Sequence, residues 1–301
     1  MQQAISTSES TAITYEPAYV PMPKHPRFWH FHPMAFVEQM KRSISCSCYR
    51  NLTVEEVKDI IKELRDSENA TKNDYSLFSI ASDIPTADRS YEKFTELLNQ
   101  TFNKFHINTC IRRIHFLAQA YHETNRFRSS REQGGEDYLA AKDYYPFYGR
   151  GLMQLTWKGD SGSGHTGYKQ YFDYLNRVDY LTNYDEVNSD INLVFDSAGW
   201  FWERGKTLSS SKPGTWTAPS FSGVVGSAVA NEGASAEKTI VTYGTNEAKY
   251  GVLNLNLLAD HDWGDTISWL VNGGGNGFQD RRNYVEKLKK ILGYAKCVNN
   301  M

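Results

Sequence analysis

Helical spacing of apolar residues recurs along most of this chain, and alternating runs that would make strands are scarce, so the fold must be built mainly from packed helices. The clearest start signal is Thr53-Val54-Glu55-Glu56, a threonine N-cap with a glutamate three positions on. Val54, Val57, Ile60, Ile61 and Leu64 follow at helical spacing and predict a helix to about Arg65. A second helix is predicted from Tyr91 to Phe105, with Phe94, Leu97, Leu98 and Phe102 on its buried face. A third runs from about Thr109 to His122, and a C-terminal one from Tyr284 to Ile291.

The remaining segments break this plan. Residues 1–50 read as a lead followed by an extended stretch rich in proline and aromatics, ending in Phe28-Trp29-His30-Phe31-His32-Pro33, which is expected to pack on the body. His30 and His32 have metal-ligand spacing but no third ligand nearby, so packing is the expected role. Residues 51–301 form the main domain, with insertions at 159–167, GDSGSGHTG, and at 205–251. Within the longer insertion, Thr239 to Tyr243 could pair as a small hairpin.

The formal net charge is −2, which gives no electrostatic case for nucleic acid. The four cysteines, Cys46, Cys48, Cys110 and Cys297, include no CxxC pair in this long chain; free thiols are expected, and no metal site. No basic segment followed by an apolar run opens the chain, and no stretch is apolar enough to span a bilayer.

Chemistry concentrates where the third helix ends. Phe116-Leu117-Ala118-Gln119-Ala120-Tyr121-His122-Glu123-Thr124 carries an apolar helix into a polar stretch, which sets Glu123 where a buried helix meets a cleft. Burial disfavours the charged form of a carboxyl, as a general acid requires. Glu132 lies nine positions further on, in a glycine-rich turn, and makes a workable partner carboxylate; Glu136 competes for that role. In Tyr148-Gly149-Arg150-Gly151-Leu152-Met153-Gln154-Leu155-Thr156 two glycines allow close backbone approach, and alternation would put Gln154 and Thr156 on one face. A zinc hydrolase fails, because His122-Glu123 is followed by Arg126 where HExxH needs histidine. A nucleotide loop at Gly273 to Gly277 fails too, for want of the GxGxxG pattern and of a phosphate-binding lysine. Trp200 and Trp202, in SAGWFW, are expected in the core.

Five segments in order, HFLAQAYHET, RE, YGRGLMQLT, SAGWFW and VNGGGNGFQDRR, resemble family 19 glycoside hydrolases over roughly Thr53 to Leu292. These are chitinases and the related phage and bacterial lysozymes. The resemblance implies a mainly α, lysozyme-like, two-lobed fold with a substrate cleft, and no cofactor. It implies that Glu123 is the general acid and Glu132 the base that activates water for inversion. It further implies that Arg150, Gln154, Thr156 and Asn272 face the substrate, and that Arg281 tunes the acid. Two departures stand out: Asp160 opens an insertion where the family usually has an asparagine, and Asn276 replaces the glutamate of plant-type chitinases. The NGGxNG form is closer to the lytic members, so peptidoglycan is the expected substrate and chitin the alternative. A non-catalytic glycan-binding module is the reading from another class. A wall hydrolase without a leader segment is expected to reach the periplasm or wall by a secretion machine of the type VI kind or by phage-type release. A cognate inhibitor and a delivery component would be its partners.

Overall fold

The computed structural model describes residues 47–68, 71–159, 166–207, 252–272 and 276–298. His30, His32, the aromatic lead, most of both insertions and the suggested hairpin at Thr239 to Tyr243 lie outside the described residues.

The described fold is mainly helical. Helix α1, Val54–Asp66, begins at the expected capping box: the Thr53 hydroxyl accepts from the Glu56 amide, and the Glu56 carboxylate accepts from the Thr53 amide. Its apolar stripe of Val57, Ile60, Ile61 and Leu64 is buried against α2, Tyr91–Lys104, and against the later helix Phe278–Ile291. Ser90 caps α2, which buries Phe94, Leu97, Leu98 and Phe102 as its spacing predicts.

Helix α3, Cys110–Glu123, is the axis of the molecule. Eleven of its fourteen residues are buried, because neighbours pack on nearly every side. The buried set includes the polar Arg113, His115 and Gln119 beside the apolar residues, so burial extends beyond one apolar stripe. Thr109 caps its start, and Glu123 is its last helical residue. Two short helices follow, α4, Glu136–Ala140, and α5, Tyr168–Tyr174. Helix α6, Glu186–Ser189, leads through Asp190 into α7, Ile191–Arg204, where Trp200 and Trp202 are buried in the core as expected. The Trp202 ring meets Phe116 of α3 edge-on at 5.4 Å, and its indole N–H donates to Asn256.

Two short strands mark where the longer insertion leaves and rejoins. Strands β1, Lys206–Thr207, and β2, Val252–Leu253, pair antiparallel, with Lys206 opposite Leu253. The insertion's ends therefore meet at one point on the helical body. The chain finishes with α8, Leu255–Asp260; α9, Gly264–Asn272; α10, Phe278–Ile291; and α11, Tyr294–Val298. All four pack on α3, with α10 making the most extensive contact.

Helix α10 starts two turns earlier than its apolar spacing predicts. Its N-cap is Gly277 at φ +73°, a left-handed conformation that glycine adopts without strain. A Cβ there would also stand 2.4 Å from the His122 ring, so side-chain bulk is excluded on two counts. Gly277 is thus a close joint between α10 and the end of α3.

The expectation of free thiols is corrected. Cys48 and Cys110 form a disulfide, with Cα atoms 4.9 Å apart across 62 residues of sequence. No described cysteine is free. Motif spacing could not reveal this pair, because its two members meet only when the segment before α1 packs on the start of α3. Among the described residues no helix is long and apolar enough to cross a membrane.

Candidate active site

The cleft forms where the end of α3 faces a small tertiary knot. Residues 129–132 run beside 149–155: Arg131 bridges Arg150, which in turn bridges Leu155. The Glu132 amide donates to the Gly149 carbonyl at 2.7 Å, and the Gly151 amide donates to Ser130 at 2.8 Å. Between Gly151 and Gln154 the chain turns tightly, with both residues at positive φ. Gly151 at φ +77° is obligatory, since a Cβ would fall 2.5 Å from the Ser197 hydroxyl of α7. Gln154 and Thr156 do both line the cleft, but they arrive there through this turn rather than by strand alternation.

The resulting cleft has a volume of about 310 Å³ and is mostly polar. Glu123 and Glu132 both line it, with Gln154, Thr156 and, from the end of α9, Asn272. Ser129, Arg131, Gln133, Met153 and Val271, which no sequence signal marks, complete the wall together with Gly149. Arg131 and Gln133 could have been suspected only as the neighbours of Glu132.

Each carboxylate has its own support. Glu123 accepts from the Arg281 guanidinium at 2.5 Å, and the same guanidinium donates to the Gln119 side-chain oxygen. Gln119 lies one helical turn before Glu123 on the same face of α3. Its amide nitrogen donates to Ser268 at 3.0 Å, and the Ser268 hydroxyl donates to the Gly264 carbonyl at 2.7 Å. A line of hydrogen bonds from α9 thus fixes the planar Arg281 group, which is itself 1% exposed, directly behind Glu123. Lysine carries the charge but cannot bridge two acceptors in one plane. Arg281→Lys is expected to lower turnover about tenfold with little change in KM, measured by steady-state kinetics on the cleaved glycan.

Glu132 is held differently. The Tyr144 hydroxyl donates to one of its oxygens at 2.9 Å, and the Gly149 amide donates to the other at 3.3 Å. Burial, and then the bond to Glu132, push the Tyr144 phenol up, so it remains a protonated donor through the neutral range. The Trp157 ring meets Tyr144 edge-on at 5.4 Å and fixes its direction. Tyr144→Phe removes one of the two donors and is expected to lower turnover about fivefold to tenfold. Rate measurements at saturating substrate would check this.

Glu136, the competitor for the second role, is exposed on α4, where it accepts from the Tyr145 hydroxyl at 2.7 Å. It does not line the cleft. Arg150, expected as a substrate contact, is placed behind the wall instead. It is 1% exposed, donates to Pro146, Tyr148 and Tyr168, and pairs with Asp185 at 2.5 Å. Its guanidinium also stacks 3.7 Å from the Tyr148 ring centre, so its contribution is to hold the knot together.

His122, the residue before Glu123 on α3, packs under Gly277. Burial, aided by the nearby Arg281 and Arg126 charges, pushes its imidazole down to about 4. The unfolded chain takes up this proton near pH 6.5, whereas the folded chain resists it until about pH 4. Stability is therefore complete above pH 6.5 and declines as pH falls from there towards 4. The contribution is on the order of 3 kcal/mol. His122→Phe is expected to flatten that part of the stability profile, as read by chemical denaturation at a series of pH values.

No family model matches the chain, and no curated protein matches it. Among solved structures it is similar to chitinase C from Streptomyces griseus, with 18% identity and a TM-score of 0.43, covering 78% of this chain and 76% of that one. A mutant of chitinase C gives 19% identity and a TM-score of 0.42 over the same shares.

Proposed function

We propose that the protein is an inverting glycoside hydrolase that cuts β-1,4 bonds in peptidoglycan. The observation that carries this reading is the pair of carboxylates lining one polar cleft, each held by a different set of donors. Glu123, at the end of a buried helix and backed by Arg281, gives its proton to the leaving oxygen. Glu132, held by Tyr144 and the Gly149 amide, accepts the proton of a water that attacks the opposite face of the sugar. Gln154 and Thr156 offer polar groups to that water or to sugar hydroxyls. The chemistry requires no metal or organic cofactor.

Peptidoglycan is preferred over chitin on the sequence form of the segment Asn272 to Gly277. Digestion of purified peptidoglycan and of chitin oligomers in parallel, with products read by mass spectrometry, tests the substrate. New reducing ends on N-acetylmuramic acid support a muramidase. Cleavage of chitin alone would keep the mechanism and overturn the substrate. Binding to either glycan without cleavage would favour the non-catalytic module.

A further inference from the structure

Three sulfurs from three separate stretches of chain meet at one buried point, and the proposed hydrolysis uses none of them. Cys48 belongs to the single turn Ser47–Tyr49, Cys110 is the first residue of α3, and Cys297 sits on α11. All three side chains are buried, and their Sγ atoms lie within 4.8 Å of one another. Cys48 is bonded to Cys110, and Cys297 is disulfide-bonded as well.

Disulfide bonding accounts for each sulfur in the oxidised chain, and on reduction it leaves three buried thiols from three elements at one point. That convergence is what a tetrahedral thiolate site needs. With metal–sulfur bonds near 2.3 Å, its sulfurs stand about 3.8 Å apart, within the span found here. The setting suits thiolates. Cys110 lies in the first turn of α3, where free backbone N–H groups and the helix dipole favour negative charge. All three cysteines are buried, which limits competition for the thiolates from bulk solvent.

We propose that, when its disulfides are reduced, the chain binds one Zn²⁺ through the thiolates of Cys48, Cys110 and Cys297. The same three segments are then tied by metal in a reducing compartment and by disulfides in an oxidising one. A thiol reductant supplies two electrons and two protons to each disulfide and is itself oxidised to a disulfide. Zinc then displaces one proton from each of the three thiols to solvent, and water or a further donor takes its fourth position. On oxidation, a disulfide oxidant removes two electrons per S–S bond formed, and zinc leaves. Either state anchors the start of α3, whose other end, about 20 Å away, carries Glu123.

The full chain, reduced with a phosphine, is incubated with Zn²⁺ or Co²⁺, freed of excess metal and analysed for metal per chain. The same is done with the oxidised chain, and circular dichroism follows folding throughout. The expected result is about one zinc per folded, reduced chain and background zinc in the oxidised chain. Three of the four thiols should react with a thiol reagent only after a chelator is added. The cobalt form should show thiolate-to-metal charge transfer that weakens in Cys297→Ser. Background zinc in the folded, reduced chain, thiols that react at full rate in its presence, or zinc taken up only by unfolded chain would each overturn the proposal. The wild-type chain alone decides the matter if Cys297→Ser fails to fold.

Discussion

Glu123→Gln is expected to lower glycan cleavage about 10²–10⁴-fold while KM stays within a few fold of wild type. Glutamine matches glutamate in shape, and its oxygen can still accept from Arg281, so the α3 end, the Arg281 bridge and the cleft wall should remain in place. What is lost is the only acidic proton at the end of α3. Protonating the leaving oxygen is needed only as the bond breaks, so the loss should fall on kcat. Steady-state kinetics with a thermal melt alongside would check this. A variant that retains more than about a tenth of wild-type turnover with an unchanged melt would remove Glu123 from the acid role.

Glu132→Ala is expected to cost a similar factor, about 10²–10⁴, through a different step. The substitution leaves Tyr144 and the Gly149 amide without their acceptor and opens space beside the attacking water. A small anion that fits this space can take over the attack, so added azide should restore part of the rate to Glu132→Ala and none to Glu123→Gln. Glu136→Ala should leave turnover within about twofold, because that side chain is exposed and outside the cleft. If Glu136→Ala proved the more damaging change, the second carboxylate would have to be reassigned.

The parts of the fold that could be read from sequence are those set by local chemistry. The Thr53 capping box and the stripes of α1 and α2 appear where their spacing puts them, since each is decided within a few residues of chain. The position of Glu123 at the end of α3 is legible for the same reason: the mostly apolar stretch Phe116 to Tyr121 leads into His122 and Glu123. The start of α10 was not, because Gly277 caps it in a left-handed conformation that depends on packing against His122. Arg150 was placed on the groove wall by its motif, but the partners that bury it come from residues up to 35 positions away, at Asp185. Tyr144 is not legible in the sequence, because it sits in a stretch with no periodicity. Gln119 carried a usable signal, four residues before Glu123 on the same helical face, but its link to Ser268 spans 149 residues. The Cys48–Cys110 pair is likewise a product of tertiary packing.

The most direct test is the configuration of the newly formed reducing end in the first moments of digestion, followed by NMR on a soluble β-1,4-linked peptidoglycan fragment before the sugar re-equilibrates. Glu123 as acid and Glu132 as base, with one water attacking between them, predict that the α-anomer forms first and that neither single variant produces it at a comparable rate. A β-anomer first would mean a covalent intermediate and a nucleophilic second carboxylate, contradicting the mechanism. No new reducing end at all would contradict the hydrolase itself.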